Sequence, residues 1–174
     1  MADKKSVKDK KKKTLDKYFD LWELLALTQH AIYNVRELEL REYGITPNQA
    51  YVLKRIHQLK DKATQVQIAH FTFRKQNTVS INMKRMEKQG LLTRNRNEDR
   101  KNLVMLSLTK KGEEAYKKSL GRQTINNVMS SLTEEQIDRM HTYLDTLFTA
   151  AANELAKFNN ETFLKSVLDN LHRK

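Results

Sequence analysis

Two Thr-x-x-Gln boxes, Thr46 with Gln49 and Thr64 with Gln67, constrain the folding of this chain more than any other feature. In such a box the threonine hydroxyl accepts from the backbone N–H three residues on. The glutamine reaches back to the threonine's own N–H, so each box marks a helix start. Pro47 follows the first box at the position where its fixed φ and missing N–H suit a helix. One helix is therefore predicted over about Pro47 to Leu59, and a short one ends near Phe71. The segment NTVSINMKRMEKQG then places Val79, Met83 and Met86 on one helical face, with Gly90 as the stop. Three short helices in succession, with a tight break before the last, make a helix-turn-helix.

Beyond Gly90 the pattern becomes extended. LLTR begins a strand, and LVMLSL alternates so that Val104, Leu106 and Leu108 share one side. The two read as a hairpin whose tip, Arg96 to Lys101, makes a wing behind the helix-turn-helix. Thr109 caps a helix over roughly Lys110 to Met129. A third box, Thr133 with Gln136, and a staple of Leu132 on Ile137 open a long helix to about Phe158. Asn159 and Asn160 break it, and Phe163, Val167, Leu168 and Leu171 suggest a short terminal helix. On the other side, Leu15 to Tyr43 carries two apolar stripes and ends at Gly44. The expected fold is mainly α: a winged helix-turn-helix with a β-hairpin wing, flanked by long N- and C-terminal dimerisation helices. Its divisions are a basic disordered tail (1–13), an N-terminal dimerisation helix (14–44), the DNA-binding region (45–109) and C-terminal dimerisation helices (110–174).

Charge and composition limit the function. Of a net charge of +12, residues 1–13 hold +5, with seven lysines against Asp3 and Asp9. Residues 74–101 hold nine Lys/Arg against Glu87, Glu98 and Asp99, a net +6. An excess concentrated in one stretch of an otherwise balanced domain makes a local field suited to a polyanion. The chain has no cysteine, which excludes disulfides, thiolate chemistry and Cys-ligated metals. No two histidines stand four apart, so no zinc site is expected. With four glycines, no phosphate loop, no Gly-x-Ser-x-Gly and no His-Glu-x-x-His, the chain is expected not to be an enzyme and to need no cofactor. No apolar run is long enough to span a bilayer, and the charged start lacks the apolar stretch of a signal peptide. The expected location is the cytoplasm.

The order helix, helix-turn-helix, wing, helix, long helix, with ITPNQAYVL, NTVSINMKRMEKQGLLTR, EDRK and LSLTKKG, resembles the multiple antibiotic resistance regulator (MarR) family of transcription factors over about Tyr18 to Phe158. At the wing, Asp99-Arg100-Lys101 has lysine where the family pattern has arginine, and one residue more before Thr109. The resemblance implies a homodimer on a pseudo-palindromic operator, with a small aromatic acid or phenol held between the dimer helices and the winged domain. Tyr18, Trp22, Tyr33, Tyr51 and His57 are either the residues of that pocket or plain core. It also implies that Asp99 holds a wing arginine in position.

If Val79, Met83 and Met86 face inward, then Asn77, Ile81, Lys84 and Lys88 face outward, with Gln76 opening the helix and Thr78, Ser80 and Arg85 on its flanks. Asn can bond adenine twice, Thr and Ser can bond base or phosphate, and an outward Ile can pack on a thymine methyl. The alternative role for Asn77, Thr78 and Ser80 is ordinary capping, because Lys75 at the usual cap position is a poor cap. On the wing, Arg96 and Arg100 would enter the minor groove while Arg94 and Lys101 meet phosphate. The reading is a sequence-specific DNA-binding regulator, a repressor released by a small ligand. The alternative is a sequence-neutral architectural DNA binder.

Overall fold

The computed structural model describes residues 2–72, 74, 76–96 and 103–158, with residues 2–13, Asp61, Arg96, Ala156 and Phe158 as backbone only. Seven α-helices and one hairpin are present among them: α1 (Ala2–Arg41), α2 (Pro47–Leu59), α3 (Gln65–Thr72), α4 (Gln76–Lys88), β1 (Leu92–Arg96), β2 (Val104–Leu108), α5 (Lys110–Ser119), α6 (Gln123–Met129) and α7 (Glu134–Phe158). No helix among the described residues is long and apolar enough to cross a membrane.

All three capping boxes form. Thr46 N donates to Gln49 Oε1 at 2.9 Å and Gln49 N to Thr46 Oγ1 at 3.3 Å. Thr64 with Gln67, and Thr133 with Gln136, repeat the pair. Each box satisfies two N–H groups that a helix start leaves unpaired. The apolar faces they present meet in one core: Leu40, Ile45, Val52, Leu53, Ile56, Ile68, Val79, Met83, Met86, Leu91, Leu92 and Leu106 are all buried. Burying a side chain of this size stabilises by about 1.5–3 kcal/mol, so the core of α2, α3, α4 and the hairpin is what holds the module.

β1 and β2 pair antiparallel, with Leu92 opposite Leu108, Arg94 opposite Leu106 and Arg96 opposite Val104. The outer edge of β2 is also occupied, since Leu106 N donates to Ala63 O at 2.9 Å beside a bridge from Thr64 to Met105. Gly90 stops α4 at φ +72, a conformation costly for other residues, and turns the chain straight into β1. The start of α5 then packs on this turn. Thr109 Oγ1 donates to Gly90 O at 2.6 Å, Thr109 N to Leu91 O at 3.3 Å, and Lys111 Nζ to Gln89 O at 2.8 Å. The same Thr109 hydroxyl accepts from Gly112 N at 3.0 Å. The segment LTKKG is thus a bolt between α5 and the end of α4.

Three expectations are corrected or left aside. The basic segment expected as a disordered tail continues α1, which starts at Ala2. Lysine is a good helix former, the segment has no Gly or Pro, and a helix already nucleated downstream extends at little further cost. The single helix expected over Lys110 to Met129 is two. Gly121 and Arg122, the latter at φ +50, separate α5 from α6. The break is held by α1: the Arg36 guanidinium donates to Ser119 O at the end of α5 and pairs with Glu39 at 2.5 Å. Glu39 in turn accepts from Gln123 N at 3.0 Å, from Thr124 N at 3.3 Å and from the Thr124 hydroxyl. A carboxylate from another helix caps α6, whose own Arg122 does not. The expected breaks at Asn159 and Asn160, and the helix around Phe163 to Leu171, lie outside the described residues.

A Cβ on Gly112 would sit 1.9 Å from Leu91 O, a backbone atom that cannot yield without moving the turn. Gly112→Ala is therefore expected to cost about 2 kcal/mol or more, as overpacking does, read as a lower midpoint in urea unfolding. Burial, the largest single effect on Glu39, pushes its pKa up, but hydrogen bonds from Thr124 and Arg36 and the charge of Arg36 outweigh it and hold the carboxyl below its ordinary value of 4.5. Its contribution is fully present above that value and is lost as pH falls through the lower folded one. Wild type should lose stability over that acid range, and Glu39→Gln should lose less of its remaining stability there, measured by urea unfolding at stepped pH.

Candidate nucleic-acid interface

The orientation of α4 decides what this surface can do. Its inward side is set by Val79, Met83 and Met86, all at most 3% exposed, and the opposite side follows from 100° per residue. Asn77, Thr78, Lys84, Arg85 and Lys88 are exposed, as is Gln76 at the first turn, and Ser80 is half-buried. Ile81 is 70% exposed, although an isoleucine at a core position of this helix would be buried. The outward side therefore mixes amides, a hydroxyl, an apolar knob and three cations. The capping role weighed for Asn77, Thr78 and Ser80 rests on Lys75, which lies outside the described residues.

The back of α4 is fixed from two sides. Gln49, buried in α2, donates from Nε2 to Gln89 Oε1 at 2.6 Å, and Gln89's carbonyl takes the Lys111 ammonium. Gln49 was expected only as part of its capping box and Gln89 was assigned no role, since nothing in their spacing shows that they meet.

The wing differs from its sequence reading at Arg94. Leu92, Arg94 and Arg96 alternate onto the side of the hairpin that carries Leu108, Leu106 and Val104, so Arg94 occupies an inward position. Its side chain is 17% exposed and lies 3.7 Å from the Glu87 carboxylate through Nη1. Nη2 donates to Gln65 Oε1 at 3.2 Å, and the Arg94 backbone N–H donates to Glu87 Oε1 at 3.2 Å. The guanidinium expected on phosphate is engaged by the protein. The signal was in the alternation from Leu92, which places every second residue inside. Thr93 and Asn95 hold the outward positions and are exposed. Arg96 ends β1 opposite Val104. Asp99, Arg100 and Lys101, the expected wing support and tip contacts, lie outside the described residues.

The five residues expected to share an effector pocket are not brought together. Tyr33 lines a cavity of about 350 Å³ with Asn48, Val52, Thr72, Thr78 and Asn82, against the inner flank of α4. Tyr51 lines another, of about 190 Å³, beside the α5–α6 break, and its hydroxyl donates to Phe71 O at 3.1 Å. His57 lines a third with Lys60, Ser107 and Glu113; its Nδ1 lies 3.2 Å from Glu113 and its ring 4.3 Å from Tyr116. Tyr18 and Trp22 are 64% and 61% exposed on α1. The reason is angular: Tyr51 and His57 lie about 120° apart around α2. Tyr18 and Trp22 precede the part of α1, Ile32 to Leu40, where half-buried positions recur and Leu40 enters the core.

The comparisons agree with this geometry. The MarR family model matches residues 43–101, from the start of the helix-turn-helix to the wing. No curated protein sequence matches the chain. Among solved structures, an organohalide-sensing RdhR transcriptional regulator in its ligand-free form superposes with a TM-score of 0.74 at 21% identity, over 80% of this chain and 84% of that one. The S. aureus MepR–DNA complex gives 0.69 at 22% identity, over 74% and 96%. A mutant MarR from E. coli complexed with operator DNA gives 0.70 at 18% identity, over 75% and 95%. At these identities the structural likeness establishes the shared fold, and the sequence match falls on the residues that build the helix-turn-helix and wing. The MarR family model thus covers the helix-turn-helix and wing, and the fold shared with these winged-helix structures continues on both sides of that match.

Proposed function

We propose that this chain is a sequence-specific DNA-binding repressor that acts as a homodimer in the cytoplasm and is released by a small ligand. The observation that carries the reading is the outward side of α4. Asn77, Ile81 and Lys84 stand exposed on a helix whose opposite side is locked into the core. Such a side fits the major groove, where asparagine reads adenine, isoleucine packs on the thymine methyl and lysine meets phosphate. Gln76, Thr78, Ser80 and Arg85 flank these contacts. Arg96 and Arg100 of the wing follow the adjacent minor groove, Lys101 meets phosphate, and Asp99 steadies the tip.

Dimerisation is supported by the ends of the molecule. Leu15, Phe19, Trp22, Leu24 and Leu27 on α1 are each about half exposed or more, and Ile137, Met140, Leu144 and Leu147 on α7 are 40–46% exposed. Apolar surface of this extent on two helices needs a partner, and a second copy supplies the same two helices. Two α4 helices then read half-sites about one DNA turn apart. One similar structure is that of an organohalide-sensing regulator bound to 2,4-dichlorophenol. The cavity between Tyr33 and α4 is the place in this chain where a small aromatic ligand would press on the recognition helix.

A sequence-neutral architectural binder is the alternative, and one experiment separates the two. Against a duplex selected from random DNA by the wild-type protein, Asn77→Ala and Ile81→Ala should each lose about 1–3 kcal/mol of binding and lose much less against random duplex. Lys84→Ala should weaken both alike. Equal losses on both duplexes for Asn77→Ala and Ile81→Ala would favour the architectural binder. In the same series these exposed positions should leave stability within about 0.5 kcal/mol of wild type. Met83→Ala should cost about 2–5 kcal/mol, read by chemical denaturation.

A further inference from the structure

Arg94 is the residue whose expected and observed surroundings differ most, and its position has a consequence for the wing. A hairpin that reaches from a helix-turn-helix to neighbouring DNA acts at a distance from its root, so a small rotation at the root becomes a large displacement at the tip. The root is held along both edges. On one edge β2 bonds the backbone before α3, through Leu106 N to Ala63 O. On the other, β1 has no third strand, and the Arg94 N–H that points outward from the ladder is taken by Glu87 Oε1 at 3.2 Å. Glu87 belongs to α4 and lies one helical turn from Lys84 on the same exposed flank. The Arg94 side chain passes beneath the hairpin, where its Nη1 meets the same carboxylate at 3.7 Å and its Nη2 bonds Gln65 Oε1 at the start of α3 at 3.2 Å. Its Nε is buried and takes no partner. A guanidinium engaged by two different helices, on the core side of a strand, is committed to the protein and not to a phosphate outside it.

From this geometry we infer that Arg94, Glu87 and Gln65 form a latch that fixes the angle of the wing to the recognition helix, with Arg94 a positioning residue and not a DNA contact. The inference rests on the DNA-binding reading above. The planar guanidinium is suited to the task because it can hold a carboxylate and an amide at once in fixed directions, which an ammonium on a flexible stem cannot. The latch also explains why Glu87 stands in a strongly basic stretch of the chain. Beside a polyanion, Glu87 is repulsive, and its presence costs affinity unless it does something else.

That conflict gives a test in which the two roles have opposite signs. If Glu87 were a bystander, Glu87→Gln would remove a negative charge near DNA and tighten binding. If it holds the latch, Glu87→Gln should weaken binding to the selected duplex by about tenfold, the scale of a lost charge-assisted hydrogen bond. Hydroxyl-radical protection of the flank under the wing should disappear, and protection under α4 should remain. Arg94→Gln should do the same without lowering the salt slope, whereas loss of a phosphate contact would lower it by about one unit. Gln65→Ala, which leaves the ion pair in place, should give a smaller change in the same direction. The exchange of Glu87→Arg with Arg94→Glu should restore flank protection that either single change removes. Tighter or unchanged binding by Glu87→Gln, or a salt slope that falls by one unit in Arg94→Gln with flank protection kept, would overturn the latch. A wild-type protein that binds no duplex would instead overturn the DNA-binding reading beneath it, and the two failures are distinct.

Discussion

The contact on which the rest of this structure depends is between two stretches of backbone: Gly112 at the first turn of α5 against Leu91 at the end of the α4 turn. There is no room for even one carbon between them. Around that contact Thr109 and Lys111 take the carbonyls of Gly90 and Gln89, and Leu92 pairs with Leu108 immediately beyond. The end of α4, both strands of the hairpin and the helix that leaves the module therefore share one junction. A close approach of this kind is rigid because it is set by backbone, which has no rotamers to relax into.

From the junction outward, α4 and the hairpin are oriented by different means. α4 is held from behind by burial of Val79, Met83 and Met86 and by the Gln49–Gln89 bond to α2. Apolar packing fixes its rotation about its own axis, and this is what presents Asn77 and Ile81 together. The hairpin is a lone two-stranded sheet, which is marginal by itself in water. Its support comes from polar groups at its two edges, the Ala63 carbonyl and the Glu87 carboxylate. Packing positions α4, and directional bonds position the hairpin.

The flanking helices meet the module through the buried Leu40 and Ala115 and are joined to one another by charge. Arg36 and Glu39 on α1 hold the end of α5 and the start of α6 across a break that has no cap of its own. The two side chains are well shielded from water, at 12% and 14% exposed. A pair this shielded from water, with each partner also bonded to backbone, satisfies the condition under which buried charge is stabilising. Because the ionised form of Glu39 is the one these bonds favour, the junction of α1 with α5 and α6 should weaken as pH falls through the lowered pKa of that carboxyl.

Much of the molecule was legible in the order of residues, because the signals involved are local. Capping boxes act within four residues, Gly90 stops a helix by its own φ, and the inward and outward sides of α4 follow from a period of 3.6. That is why the helix-turn-helix, the hairpin and the exposure of Asn77, Ile81 and Lys84 can be read from residue order alone. The same local reasoning assigned Arg94 to phosphate because it counted charge, although alternation from Leu92 already turned that residue inward. What only the tertiary structure decided is where distant residues meet. Glu87 and Gln65 converge on Arg94, Glu39 caps a helix more than eighty residues away, Gln49 finds Gln89, and Tyr33, Tyr51 and His57 separate into three cavities. Those outcomes depend on the relative placement of whole elements, which a period of a few residues does not encode.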